Sequence, residues 1–154
     1  MAKKDIKNIS NNWEEETYKS IDPKIIINRI KTPDGTILTS RHVHDYVVYV
    51  DKNGLTYMVD GGLDYLRRNY YNEKFSYEEL SVLSSDPFEK IRESLEWGSY
   101  GKTGKEKLHY ITLCNMTDDH IKAIINLNLG ANYIRGFLKK ELIYRKKNNI
   151  SIKD

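Results

Sequence analysis

Two turn signatures constrain this chain most. Pro33-Asp34-Gly35 and Asn53-Gly54 each sit between short runs of β-branched and aromatic residues: residues 25–30 before the first, 37–50 between them, and 55–59 after the second. Proline presets one turn dihedral and glycine tolerates positive φ. Asn-Gly favours the primed turns that match the twist of paired strands. Two strand–turn–strand units in succession predict an antiparallel meander. Residues 37–50 are too many for one straight strand, so a bend is expected near residues 40–44. Alternation of Leu63, Tyr65 and Arg67 predicts a further strand over residues 63–68, and residues 79–83 another.

Helical signals follow. Asp86-Pro87 supplies an N-cap and a proline at the first helical position, with Phe88, Ile91 and Leu95 at helical spacing and Gly98 as the stop. Residues 107–113 alternate as a strand. Thr117 then caps a helix with Asp118 and Asp119 in its first turn and Ile121, Ile124 and Ile125 facing inward, ended by Gly130. A last helix from Asn132 to about Arg145 buries Ile134, Phe137, Leu138 and Leu142. Strands first and helices later predict an α+β fold, an antiparallel β-meander sheet with about three mostly C-terminal helices packed on one face. Residues 1–22 are expected to form a polar arm with a short helix around Trp13 and Tyr18, residues 23–147 a single domain, and residues 148–154 a tail.

No apolar run approaches the roughly 20 residues that span a bilayer, and the lysine-bearing N-terminus has no signal-peptide core. A cytoplasmic protein is expected. Cys114 is the one cysteine in the sequence, which excludes an internal disulfide framework and a multi-cysteine zinc site. It ends a predicted strand and is expected to act as a small buried hydrophobe.

Net charge is only +3, yet residues 135–147 hold Arg135, Lys139, Lys140, Arg145, Lys146 and Lys147 against Glu141 alone. Such a run attracts phosphates; the plainer alternative is a solvated helix face whose cations suit the helix C-terminus. Tyrosine is over-used, 12 against 3 Phe and 2 Trp, a residue at home in ligand walls and equally in half-buried strands.

Three clusters carry candidate chemistry. Arg41-His42-Val43-His44-Asp45, if extended, projects both imidazoles from one face. With Asp60 or Asp64 they are one way to present ligands to a metal, but no third ligand is assured, so no metal or other cofactor is expected. The pair suits hydrogen bonding to an anion or acid–base work near neutral pH. Asp60-Gly61-Gly62-Leu63-Asp64-Tyr65-Leu66-Arg67-Arg68 combines a close-approach glycine pair with two arginine forks suited to phosphate, or else forms a turn with solvent salt bridges. Trp97-Gly98-Ser99-Tyr100-Gly101-Lys102-Thr103-Gly104-Lys105 offers Trp97 or Tyr100 to stack a base and Lys102 or Lys105 to meet phosphate; it is equally a flexible loop after a helix. His109 and His120 complete no recognisable triad.

These motifs occur in order with Thr32-Pro33-Asp34-Gly35-Thr36, Tyr57-Met58-Val59, Glu79-Leu80-Ser81-Val82, Leu108-His109-Tyr110-Ile111, Met116-Thr117-Asp118-Asp119-His120-Ile121 and Glu141-Leu142-Ile143-Tyr144-Arg145. Over roughly residues 27–145 the chain resembles a family of small proteins encoded by tailed bacteriophages. The resemblance implies no reaction. It implies a phage accessory protein made in the host bacterial cytoplasm, outside the virion's obvious structural parts.

The expected function is counter-defence by binding and sequestering a nucleotide-derived immune signal. Arg41, Arg67 and Arg68 would hold phosphates, Trp97 or Tyr100 would stack the base, and His42, His44 or Asp60 would meet ribose hydroxyls, with Asp64 and Lys102 beside them. A homo-oligomer is expected, since such pockets often form between copies. The alternatives are a nucleotide- or phosphodiester-processing enzyme using His42 and His44, and an inhibitor that binds host protein or nucleic acid.

Overall fold

The computed structural model describes residues 22–69 and 77–154. The expected N-terminal arm lies outside the described residues, apart from Asp22. Contacts divide the described chain into two compact units, Lys24–Asp86 and Pro87–Asp154. The class is α+β; among the described residues every strand pairs antiparallel and the helices lie in the C-terminal half.

The N-terminal unit is built of β1 (Ile25–Lys31), β2 (Ile37–Ser40), β3 (Val47–Val50), β4 (Thr56–Asp60), β5 (Arg67–Arg68), β6 (Glu78–Glu79) and β7 (Val82–Leu83). The strands do not form one meander. β1 pairs with β2 on one side and with β6 and β7 on the other, while β3, β4 and β5 make a second sheet in that order. Ile30, Leu38, Tyr57 and Val59 form a shared core, with Val47, Tyr49 and Leu55 packed at its margin.

Both predicted hairpin turns are present. In the first, Thr32 N donates to Thr36 O at 2.9 Å and Gly35 N to Thr32 O. The Asp34 carboxylate accepts the hydroxyls of Thr32 and Tyr49, the latter at 2.5 Å, and this tethers the β1–β2 turn to β3. In the second, Asp51 N donates to Leu55 O and Asp51 Oδ1 accepts from Asn53 N and Leu55 N, all at 2.9 Å.

The expected bent strand over residues 37–50 is two strands in two sheets. Asp45 decides the break. Its carboxylate accepts Arg41 N at 2.7 Å, its N–H donates to His42 O, and its carbonyl accepts Ser40 Oγ at 2.6 Å. Short polar side chains bonding their own backbone compete with ladder pairing, and residues 41–46 leave the sheet. Of residues 63–68 only the arginines are strand, because Asp64 N and Tyr65 N both turn back to Gly61 O. Residues 79–83 break in two where Ser81 Oγ, rather than a carbonyl, accepts Arg29 N at 3.1 Å.

The C-terminal unit runs α1 (Phe88–Arg92), the hairpin β8 (Glu96–Ser99) and β9 (His109–Thr112), a 3-10 turn (Leu113–Asn115), α2 (Asp118–Asn126) and α3 (Asn132–Lys147). Two expectations fail here. Asp86 does not cap α1, since its carboxylate accepts Leu83 N and Pro87 takes the capping position. Gly98 does not stop that helix either, for the helix ends at Arg92 and Gly98 lies inside β8, opposite Tyr110. The α2 cap holds, since Thr117 Oγ1 accepts His120 N at 3.1 Å, and Ile121 and Ile124 are buried; Ile125 is only half-buried, and the helix ends at Asn126, before Gly130. No helix among the described residues is long and apolar enough to cross a membrane.

Candidate functional site

A cavity of about 610 Å³ opens in the C-terminal unit. Its wall comes from the β8–β9 hairpin, its floor from Ile111 and Met116, and its far side from the start of α2. The hairpin register explains the wall. Ser99 pairs with His109 and Trp97 with Ile111, so alternation turns Ser99, His109 and Ile111 to the same face. Gly101, Lys102, Thr103 and Glu106 of the connecting loop complete this side.

The polar groups are set by local chemistry. His109 Nδ1 lies 3.0 Å from Lys107 O; a carbonyl can only accept, so Nδ1 carries the proton and Nε2 of the neutral ring is an acceptor. Burial pushes the His120 imidazole below its ordinary range, with the nearby Asp154 carboxylate partly opposing the shift. A neutral ring at that position can accept from a ligand hydroxyl or amino group. Lys102 Nζ pairs with Asp154 Oδ2 at 2.7 Å, with the lysine side chain 75% exposed. Glu106 and Asp119 add carboxylates at the cavity wall.

Beneath this site lies a buried charge network. Arg145, 2% exposed, donates from Nε to Glu141 Oε1 at 2.9 Å, from Nη1 to Asp118 Oδ1 at 2.6 Å and from Nη2 to Leu113 O at 3.0 Å. Arg92 closes the other side of Glu141 and stacks on the Tyr144 ring at 4.4 Å. Asp118 N also donates to Ile152 O, which brings the chain after α3 back to the start of α2. α1, the 3-10 turn, α2 and α3 are thereby fixed to one another, and with them Thr117, Asp119 and His120.

The sequence-predicted residues are distributed differently from expectation. Trp97, Tyr100 and Lys102 belong to the C-terminal unit; Arg41, His42, His44, Asp60, Asp64, Arg67 and Arg68 belong to the N-terminal one. Lys102 alone of the ten lines the cavity. Trp97 packs instead beside Gly130, and Tyr100 is exposed. The Trp97 segment is strand and hairpin loop, not the loop after a helix.

Within the N-terminal unit the histidine turn and the double glycine do meet. Asn28 Nδ2 donates to the carbonyls of Asp60, Gly62 and Tyr65 at 2.9, 3.0 and 3.2 Å, and Gly62 N donates to Ser40 Oγ at 2.9 Å. Gly61 and Gly62 have φ of +99° and +53°, and a Cβ on Gly62 would stand 2.2 Å from the His42 carbonyl carbon. The glycines thus serve close packing between two turns. His42 and His44 are exposed on a turn, where strand alternation does not apply. Arg67 reaches Asp60 at 3.5 Å from solvent, whereas Arg68 is buried in a two-pronged pair with Glu79 and bonds Ser81 Oγ at 3.0 Å. Among the described residues no group of three His, Cys, Asp or Glu side chains is arranged for a metal ion.

The basic run of residues 135–147 is not one face. Arg145 is internal, and Arg135 donates to the Leu129 carbonyl at 2.9 Å and also bonds the carbonyls of Asn128 and Gly130. Cys114 is half-buried near Thr112 Oγ1 at 3.9 Å rather than fully enclosed. His109 and His120 escaped sequence reasoning because the 3-10 turn that brings them to one cavity has no sequence period; Thr117 as a cap was the usable signal. The chain matches no known protein family, no curated protein and no solved structure.

Proposed function

We propose that this chain is a non-enzymatic binding protein that holds a nucleotide-derived signalling molecule in the cavity of its C-terminal unit. The single observation behind this reading is a cavity of about 610 Å³ in which Lys102, His109 and His120 approach from a loop, a strand and a helix. Small-ligand sites span about 300–1,000 Å³ and combine an apolar body with a few convergent polar groups. The Ile111 and Met116 floor suits the flat face of a base. Asp119 and Glu106 suit ribose hydroxyls or exocyclic amino groups. A phosphate fits at Lys102 in place of the Asp154 carboxylate, because an exposed ion pair is worth only about 0–1 kcal/mol and exchanges readily.

The resemblance to small tailed-bacteriophage proteins implies an accessory protein made in the host bacterial cytoplasm, a setting in which removal of an immune signal by capture is the role proposed. Calorimetry against cyclic dinucleotides and ADP-ribose derivatives tests the reading. Saturable heat is expected with one class, with intact ligand recovered afterwards. Lys102→Ala and His120→Ala should each weaken binding about tenfold, the equivalent of about 1.4 kcal/mol. No heat with any nucleotide overturns the reading, and turnover of the ligand overturns its non-enzymatic part.

A further inference from the structure

Among the described strands, β3 is the edge of its sheet. Its register with β4 sets Tyr49 opposite Tyr57 and Val47 opposite Val59, and Asp51 N donates to Leu55 O at 2.9 Å just beyond. In an antiparallel ladder, hydrogen-bonded and non-bonded pairs alternate. Residues 47, 49 and 51 therefore bond to β4, and the main-chain groups of Val48 and Val50 point away from it. The far side of β4 agrees, since Met58 N takes Asn69 Oδ1 and Thr56 O accepts Asn69 Nδ2. No described strand pairs with this free side of β3. Tyr46, Val48 and Val50 are 59%, 45% and 57% exposed. Edge strands are normally protected by lysine, proline or a bulge, and Val47-Val48-Tyr49-Val50 has none.

We propose that this edge pairs with β3 of a second copy of the chain, antiparallel about a twofold axis at Tyr49. The strand is complementary to itself in that register. Val48 lies opposite Val50 of the second copy, and each such pair exchanges N–H···O=C bonds through the groups that β4 leaves unused. Val48 and Val50 of both copies then lie on one continuous outer face. Moving the axis to Val48 sets Val50 opposite Tyr46, a residue outside the strand. Moving it to Val50 sets Val48 opposite Lys52, which lies in the turn outside the strand. Isologous pairing through one edge uses up that edge and closes at two copies.

Sedimentation equilibrium of the full chain, from low to high micromolar concentration, is expected to give twice the chain mass. Val48→Lys should give the single-chain mass with an unchanged circular dichroism spectrum. A second arm does not depend on that variant folding as wild type. In a Cys114→Ser background, Val48→Cys with Val50→Cys places cysteines across the interface at a Cα separation of about 5.5 Å, within disulfide reach. Mild oxidation should then yield a covalent dimer on denaturing gels. A single-chain mass at every wild-type concentration, a dimer that survives Val48→Lys in folded protein, an open ladder of larger species, or no covalent dimer would each overturn the proposal.

Discussion

Glu141 is fully buried, and its carboxylate receives Arg92 through two nitrogens at 2.7 and 2.8 Å. Arg145 reaches the same carboxylate one helical turn on, at 2.9 Å. Glu141 thus bridges two guanidinium groups, of which Arg145 also pairs with Asp118 at 2.6 Å. Neutralising Glu141 takes this carboxylate from Arg92 and leaves Arg145 with Asp118; breaking a buried pair costs about 3–5 kcal/mol. Glu141→Gln should therefore lower the urea-unfolding free energy by about that much. A loss under about 1 kcal/mol would mean the arginines find water, as exposed pairs do.

Acid should weaken the chain through Asp118 and Glu79. The hydrogen bond from Arg145 holds the Asp118 carboxyl below its usual range. Burial is the largest single influence on Glu79 and works against its ionisation, but the bonds from Arg68 and Ser81 and the Arg68 charge together outweigh it, and the net shift is again downward. A carboxyl whose folded pKa is depressed stabilises fully above its unfolded value, and that stabilisation is lost as pH falls through the folded value. Below the decline that His120 contributes from 6.5 downward, urea midpoints should fall further from about 4.3, the range in which free carboxylates ionise. Asp118→Asn and Glu79→Gln should each flatten the acid limb, and an unchanged limb in both would contradict these pairings.

Much of the fold was legible where chemistry is local. Pro33-Asp34-Gly35, Asn53-Gly54 and Thr117 act through bonds within a few residues and were read correctly. Gly98 and Asp86 were misread because each has two local uses, and tertiary contacts chose between them: pairing of β8 with β9 took Gly98, and Leu83 N took the Asp86 carboxylate. The candidate site was less legible. Arg68 and Arg145 look like phosphate ligands in a string of letters, yet their partners Glu79 and Asp118 stand 11 and 27 residues away and absorb them. His109 and His120 share a cavity only because the 3-10 turn folds β9 back onto α2.

The Gly62 contact predicts a sharp backbone penalty. At a φ of +53° with the His42 carbonyl carbon 2.2 Å from any added Cβ, Gly62→Ala must displace one of the two turns. Residues forced into sparsely populated conformations cost about 1–3 kcal/mol before any clash is added. Asn28→Ala removes the donor to three carbonyls, and an unsatisfied buried polar group costs about 1–3 kcal/mol. Both variants should lower the melting temperature and speed amide exchange in residues 40–45. Gly35→Ala, with open space around its Cβ, should keep exchange there at the wild-type rate. Equal exchange in all three would show that the two turns are not joined.

His120 joins stability and binding in one titration. Its ordinary pKa of 6.5 is lowered by burial, so the folded chain resists a proton that the unfolded chain accepts. Its contribution to stability is full above 6.5 and declines as pH falls from that value toward the depressed folded one. A phosphate placed near Lys102 adds negative charge close to the ring and favours imidazolium, which raises the pKa in the complex. Linkage then requires binding to tighten as pH falls through the interval between the free and bound values. Histidine-selective NMR should show a His120 midpoint below 6.5 in the free protein and a higher one with bound nucleotide. A free midpoint at or above the ordinary value would mean the ring is solvated. An affinity independent of pH would place the phosphate elsewhere.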